Sequence, residues 1–284
     1  MLCIVPLLAF CLPGFAHTDL EIQIEELSRQ IVLSNDDPEL YLERGNVYRR
    51  HGDWALAASD LDRARFLDAN LSLIDWYEGR LALDSGDNAK ANKLFSLYIN
   101  SHPEYAPAWH LRAMARVGLN EYLFASEDFA RSITLSDHPG PPLYRSLVLS
   151  LFAAGEDYED SAVLAVKKGL GQFPREISLL GLGVDLLLMK PDLEQALALM
   201  IRIPKRSQAL AQWRFRSASR ACIAGNRETA ISGFSALLTP TAENGFRSSG
   251  TWQFSQQELE KLIGQPDPET CISAVRELLA RQLP

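Results

Sequence analysis

Catalytic signatures are missing from this 284-residue chain. It has no GxxxxGK[ST] phosphate loop, no HExxH zinc pair, no GxSxG nucleophile turn and no CxxC pair, so nothing in it points to an enzyme. The five histidines, His17, His51, His102, His110 and His138, lack ligand-like spacing, and neither a metal site nor a cofactor is expected. Positive charge is also short. The 28 Lys and Arg against 36 Asp and Glu give a net charge of −8 and a pI of about 5.2. That balance excludes broad electrostatic attraction to nucleic acid or anionic lipid.

The first 16 residues, "MLCIVPLLAFCLPGFA", contain no charged side chain. Their apolar run from Leu2 to Leu12 ends near the small residues Gly14 and Ala16. This reads as a secretory signal peptide over 1–16, cleaved after Ala16. The run is shorter than the roughly 20 apolar residues a membrane-spanning helix needs, so no integral span is expected in the mature chain. A basic segment ahead of the run is absent, and a buried amino-terminal element of an unexported protein is the alternative. On the first reading the protein is exported, to a periplasm or to the outside of the cell.

Small residues recur with a fixed period. From Ala57, steps of 34 residues reach Ala91 and Ala125; after one step of 37, the same walk reaches Ala162, Ala196 and Ala230. With Pro38 as position 1 of a 34-residue repeat, position 8 is Gly45, Gly79 and Ala113, and position 15 is Gly52, Gly86 and Asn120. Position 20 carries the alanines, and position 24 is Leu61, Phe95 and Phe129. Small residues at 8 and 20 let two helix axes approach toward the short end of the usual 8–10 Å. Gly or Asn at 15 supplies the left-handed residue that ends a first helix.

The pattern resembles the tetratricopeptide repeat family, which implies two antiparallel helices per repeat, stacked into an all-α, right-handed superhelical solenoid. Position 4 is Tyr41, Asp75 and Trp109; position 27 is Ala64, Tyr98 and Ser132; Pro103 stands at position 32 of the second repeat. The second half is more worn. It keeps Val166, Met200 and Phe234 at position 24, with Gly155 and Gly225 at interhelix turns. Pro191 and Asp192 are expected to open the second helix of the fifth repeat.

The expected organisation is an amino-terminal capping helix over 17–35, about six helix pairs over 36–238, and a loop with carboxyl-terminal capping helices over 239–284. Thr18 and Glu21 suit a capping box for a helix presenting Leu20, Ile24, Leu27 and Ile31. Ser255 and Glu258 repeat that signature, Asp267 with Pro268 starts a helix to about Gln282, and Thr239 to Gly250 reads as a loop. Cys222 and Cys271 either pair, tying the last repeat to the final helix, or are two buried small hydrophobes that never meet. The unpaired reading carries slightly more weight, because two cysteines build no framework.

"GLGVD", with Gly181 and Gly183, is a fragment of a dinucleotide fingerprint inside a helix, and small residues for helix packing explain it better. The carboxylates Asp84 and Asp87, and Glu156, Asp157, Glu159 and Asp160, fall at turns and read as solvated caps.

What remains is a surface. The resemblance implies a concave groove of first helices, lined at positions 2, 5, 9, 12 and 13, that holds a polypeptide partner. Those columns give Leu42, Asn46, Arg49 and Arg50, then Trp76 and Arg80, then His110 and Met114, then Arg145, with Phe215 and Arg216 near the same wall. Arginine clamps carboxylates and tryptophan anchors apolar side chains, which suits an acidic or carboxyl-terminal segment. A chaperone-type carboxylate clamp would require Lys, Asn, Asn, Lys and Arg where this chain has Leu42, Asn46, Tyr77, Pro107 and Leu111. Binding to heat-shock chaperone tails is therefore not expected. The expectation is a noncatalytic interaction module or scaffold of the cell envelope. The alternatives are a self-assembling homo-oligomer, or an accessory protein for a cell-wall or small-molecule ligand.

Overall fold

The computed structural model describes residues 15–208, 210–238 and 255–281. All regular secondary structure among them is helical. Helix α1 (Phe15–Leu33) leads in. First helices α2 (Pro38–His51), α4 (Leu73–Asp84), α6 (Ala106–Gly118), α8 (Pro141–Ala153), α10 (Ile177–Met189) and α13 (Ala211–Ile223) then alternate with second helices. These are α3 (Trp54–Leu67), α5 (Asn88–Ser101), α7 (Tyr122–Leu135), α9 (Glu159–Gln172), α11 (Leu193–Met200) and α14 (Arg227–Leu238). A four-residue helix, α12 (Lys205–Gln208), precedes α13, and α15 (Gln256–Gly264) and α16 (Pro268–Ala280) follow α14.

The chain divides into two compact bodies after Ala115, within α6. In the amino-terminal body α1 packs on α2, α2 on α3, α3 on α4 and α4 on α5. In the carboxyl-terminal body α7 packs on α8, α8 on α9, α10 on α11 and α13 on α14, with α15 against α14.

The periodic residues explain these pairs. All six ruler alanines are fully buried. A side chain added at Gly45 would meet the Ala57 carbonyl at 3.3 Å, and one at Gly79 would stand 2.9 Å from the Phe95 ring. The first pair is therefore closed by backbone approach and the second by a ring seated on the glycine, both of which need a small residue at position 8. Gly52, Gly86 and Asn120 at position 15 have φ of 98°, 81° and 60°, the left-handed turn out of the first helix. In the next column two residues cap their second helices, Asp87 accepting from the Lys90 amide at 3.0 Å and Asp192 from the Gln195 amide at 3.1 Å, while Asp53 and Glu121 hold the N-cap place without a side-chain bond.

Several local expectations shift. Helix α1 already begins at Phe15, so Thr18 is an interior residue and not its N-cap. Pro191 lies ahead of the N-cap Asp192, outside α11. Ser255 and Glu258 do form a capping box, with the Ser255 amide donating to Glu258 Oε2 at 2.7 Å and the Glu258 amide to Ser255 Oγ at 3.2 Å. Helix α16 starts after Asp267 and ends at Ala280. Most of the signal segment (1–14), the expected loop from Thr239 to Gly250, and Gln282 lie outside the described residues.

Gly181 and Gly183 are packing positions. An added Cβ at Gly181 would meet the Arg216 guanidinium at 2.8 Å, and one at Gly183 would meet Leu199 at 2.7 Å and Val166 at 2.9 Å. Cys222 and Cys271, 49 residues apart, are joined in a disulfide with Cα atoms 6.4 Å apart. This bond ties α13 to α16, the pairing alternative left open by the sequence.

Candidate functional site

The site assembles on the first helices of the amino-terminal body. Trp76 and Arg80 are four residues apart on α4, and this spacing stacks them on one face. The Arg80 guanidinium lies over the Trp76 ring, 5.6 Å from its centroid. Trp76 is only 8% exposed, because α5 and the loop after it bring other rings around it. Phe95 meets it at 5.8 Å edge-on, Tyr98 at 5.4 Å, and Tyr105 at 5.2 Å edge-on. His102 stacks on Tyr98, with ring centroids 4.4 Å apart. Tyr105 is 41% exposed and forms the outer lip.

The arginines separate by environment. Arg49 is engaged: its guanidinium donates to Asp84 of α4, and to Asn46 Oδ1 from Nε at 3.3 Å and from Nη2 at 3.1 Å. Arg49 and Asn46 are thus one unit, held by the Asp84 carboxylate that the sequence suggested was merely a cap. Arg80 is different. It is partly buried, and among the described residues no acceptor or carboxylate pairs with it. Burial, then the neighbouring Arg49 charge, push its guanidinium below the ordinary pKa, while Tyr77 and then the charge of Asp84 pull the other way. Being an arginine, it stays cationic at neutral pH. An uncompensated, partly desolvated cation beside a tryptophan is a place where an anion gains more than it would in water.

The other expected groove residues distribute unevenly. Arg50 is exposed, and Leu42 is buried in the core with Tyr41, Leu61 and Ile74. His110 is partly buried on α6, and burial lowers its pKa. Arg145 belongs to the carboxyl-terminal body, partly exposed on α8. Arg216 is not a groove residue. It is buried, donates to Asp185 from Nε at 2.8 Å and from Nη2 at 2.6 Å, and lies 4.4 Å from the Trp213 ring centroid. Glu159, expected as a solvated cap, is also buried and faces Arg276 at 3.0 Å.

Sequence reasoning missed Tyr98, His102, Tyr105 and Asp84. The available signal was Tyr98 at position 27, a large ring in a column that is otherwise small. Such a residue must displace something, and here it turns toward Trp76.

Among the described residues no three His, Cys, Asp or Glu side chains are grouped to hold a metal ion, and no helix is long and apolar enough to cross a membrane. No family model matches the chain, and no curated protein matches it significantly. Solved structures do. The carboxyl-terminal part of a TPR repeat-containing protein from Cytophaga hutchinsonii aligns over 79% of this chain and 91% of its own, at 14% identity and a TM-score of 0.65. PilF of Pseudomonas aeruginosa aligns over 73% of this chain and 94% of its own, at 16% identity and a TM-score of 0.51. A tetratricopeptide repeat protein from Parabacteroides merdae aligns over 87% of this chain and 92% of its own, at 16% identity and a TM-score of 0.50. At these identities the likeness is one of fold.

Proposed function

We propose that this chain, which has the tetratricopeptide-repeat fold, is a noncatalytic interaction protein of the cell envelope. In this reading the first-helix face of the amino-terminal body holds an acidic or carboxyl-terminal segment of a polypeptide partner. The observation that carries it is Arg80, a partly buried cation with no described anionic partner, resting over Trp76. A carboxylate from outside completes that pairing with two parallel N–H donors. The exposed edge of Tyr105 offers an apolar contact for the residue beside the carboxylate. Arg49, Asn46 and Arg50 extend the polar wall, and Asp84 sets a limit on its net positive charge. Arg145 belongs to the other body.

The test is affinity capture from the native envelope fraction with the wild-type chain beside Arg80→Glu, each checked for helicity by circular dichroism. A partner retained by the wild type and lost from the variant supports the reading; identical capture by both contradicts it. Export is inferred from residues 1–16 and is checked by intact mass of the secreted form, which on this reading lacks them.

Self-association is a second reading, favoured by Val32 and Leu33 on α1 and Phe66 on α3, whose side chains stand 81%, 85% and 78% exposed. Light scattering of the purified chain separates a monomer from an assembly.

A further inference from the structure

The groove columns behave oppositely at the two ends of the repeat array. Positions 9, 12 and 13 of the first two repeats are Asn46, Arg49 and Arg50, then Arg80, Leu83 and Asp84, and none is buried. In the fifth and sixth repeats the same columns are Asp185, Leu188 and Met189, then Ser219, Cys222 and Ile223, and every one is buried. Helix α10 is buried on all sides from Leu179 to Met189.

The cover is α16. Helix α15 continues the stack on α14, but α16 turns back and packs on α10 and α13, the first helices of these two repeats. Its buried residues Cys271, Val275, Leu278 and Leu279 follow the i, i+4, i+7, i+8 spacing of one amphipathic stripe. Cys271 is bonded to Cys222, itself a groove-column residue, and on its flank Arg276 pairs with Glu159 at 3.0 Å and Glu156 at 3.2 Å. The helix is therefore held at three kinds of contact: a stripe, an ion pair and a covalent bond.

We propose that the α10–α13 face is a groove for an amphipathic helix bearing an apolar stripe and a flanking cation, and that α16 is its built-in, autoinhibitory occupant. While Cys222 and Cys271 are thiols, α16 seats reversibly and the face admits a partner helix of the same chemistry. Oxidation locks it. The two thiols give up two electrons and two protons as their S–S bond forms, and a disulfide-bearing oxidant is reduced to a dithiol. Both cysteines are fully buried once α16 is seated, so a reductant cannot reach the bond and the lock closes one way. This inference is independent of the Arg80 site, which lies in the other body.

The experiment compares hydrogen exchange in the full oxidised chain with that in Cys271→Ser and in wild type reduced with dithiothreitol in denaturant and refolded under reducing conditions. Exchange of α16 amides is expected to rise at least tenfold in both thiol forms while α2–α5 stay unchanged. A labelled peptide of residues 266–281, with serine at 271, is expected to bind Cys271→Ser carrying Arg276→Glu and to be excluded by the oxidised wild type. Equal protection of α16 in all forms, with the peptide excluded throughout, would make α16 a fixed part of the core and overturn the proposal. Exchange rising together across α7–α14 would mean that the bond holds the whole body, and would overturn it as well.

Discussion

Arg216 reaches across from α13 to Asp185 on α10, 31 residues earlier, and closes two hydrogen bonds of 2.8 and 2.6 Å with both side chains out of water. Gly181 makes this possible, since any side chain there would collide with the guanidinium. Burial pushes the Asp185 carboxyl up, and the charge and hydrogen bonds of Arg216 pull it back only in part. Breaking such a pair leaves a lone buried charge. Asp185→Ala is expected to lower stability by about 3 to 5 kcal/mol, whereas Asp185→Leu with Arg216→Met is expected to be near neutral. Denaturant midpoints decide it; a single variant as stable as the double one would contradict the account.

Two glycines in helices predict opposite outcomes. Gly171 in α9 has open space around its Cβ position, and Gly171→Ala is expected to gain up to about 1 kcal/mol from helix propensity. Gly79→Ala gains the same propensity but presses on Phe95 at 2.9 Å, with an overpacking cost of about 1 to 3 kcal/mol. Thermal melts are expected to rise for Gly171→Ala and to stay level or fall for Gly79→Ala.

The part of the fold that repeats was legible, because a 34-residue period reports short-range geometry many times over. Ala57 through Ala230 and the left-handed Gly52, Gly86 and Asn120 needed only the chain itself. What was not legible is contact that leaves the period. Nothing in the spacing of Cys222 and Cys271 measures their distance, and Arg216 reads as surface charge until Asp185 of α10 is seen to meet it. One signal was present and unused: "ISLLGLGVDLLLM" is apolar all round, which an open first helix cannot be. For the site, Arg80 and Trp76 were readable from their column. The engagement of Arg49 by Asp84 was not, because both residues suit a solvated helix end.

His110 gives a pH prediction. Burial holds its pKa below the ordinary value of 6.5. The unfolded chain then takes up the proton at a higher pH than the folded chain. The stability this group contributes is complete above pH 6.5 and is lost as the pH falls through the depressed folded value. Urea midpoints between pH 7.5 and 5 are expected to fall further for the wild type than for His110→Gln; equal falls would contradict the assignment.

Asp84 restrains the site. Asp84→Asn releases Arg49 from its ion pair and removes one negative charge beside Arg80, raising the local net charge by one. Acidic peptides are expected to bind the variant several-fold more tightly, with a steeper loss in salt. Fluorescence anisotropy at two ionic strengths measures both, and weaker binding by the variant would contradict this role.

The most direct measurement of the central claim is enrichment from a peptide library on the wild-type chain and on Arg80→Glu. The account predicts that the wild type retains peptides with a carboxylate beside an apolar residue at least tenfold over the variant. Enrichment of the same peptides to the same extent by both would contradict it.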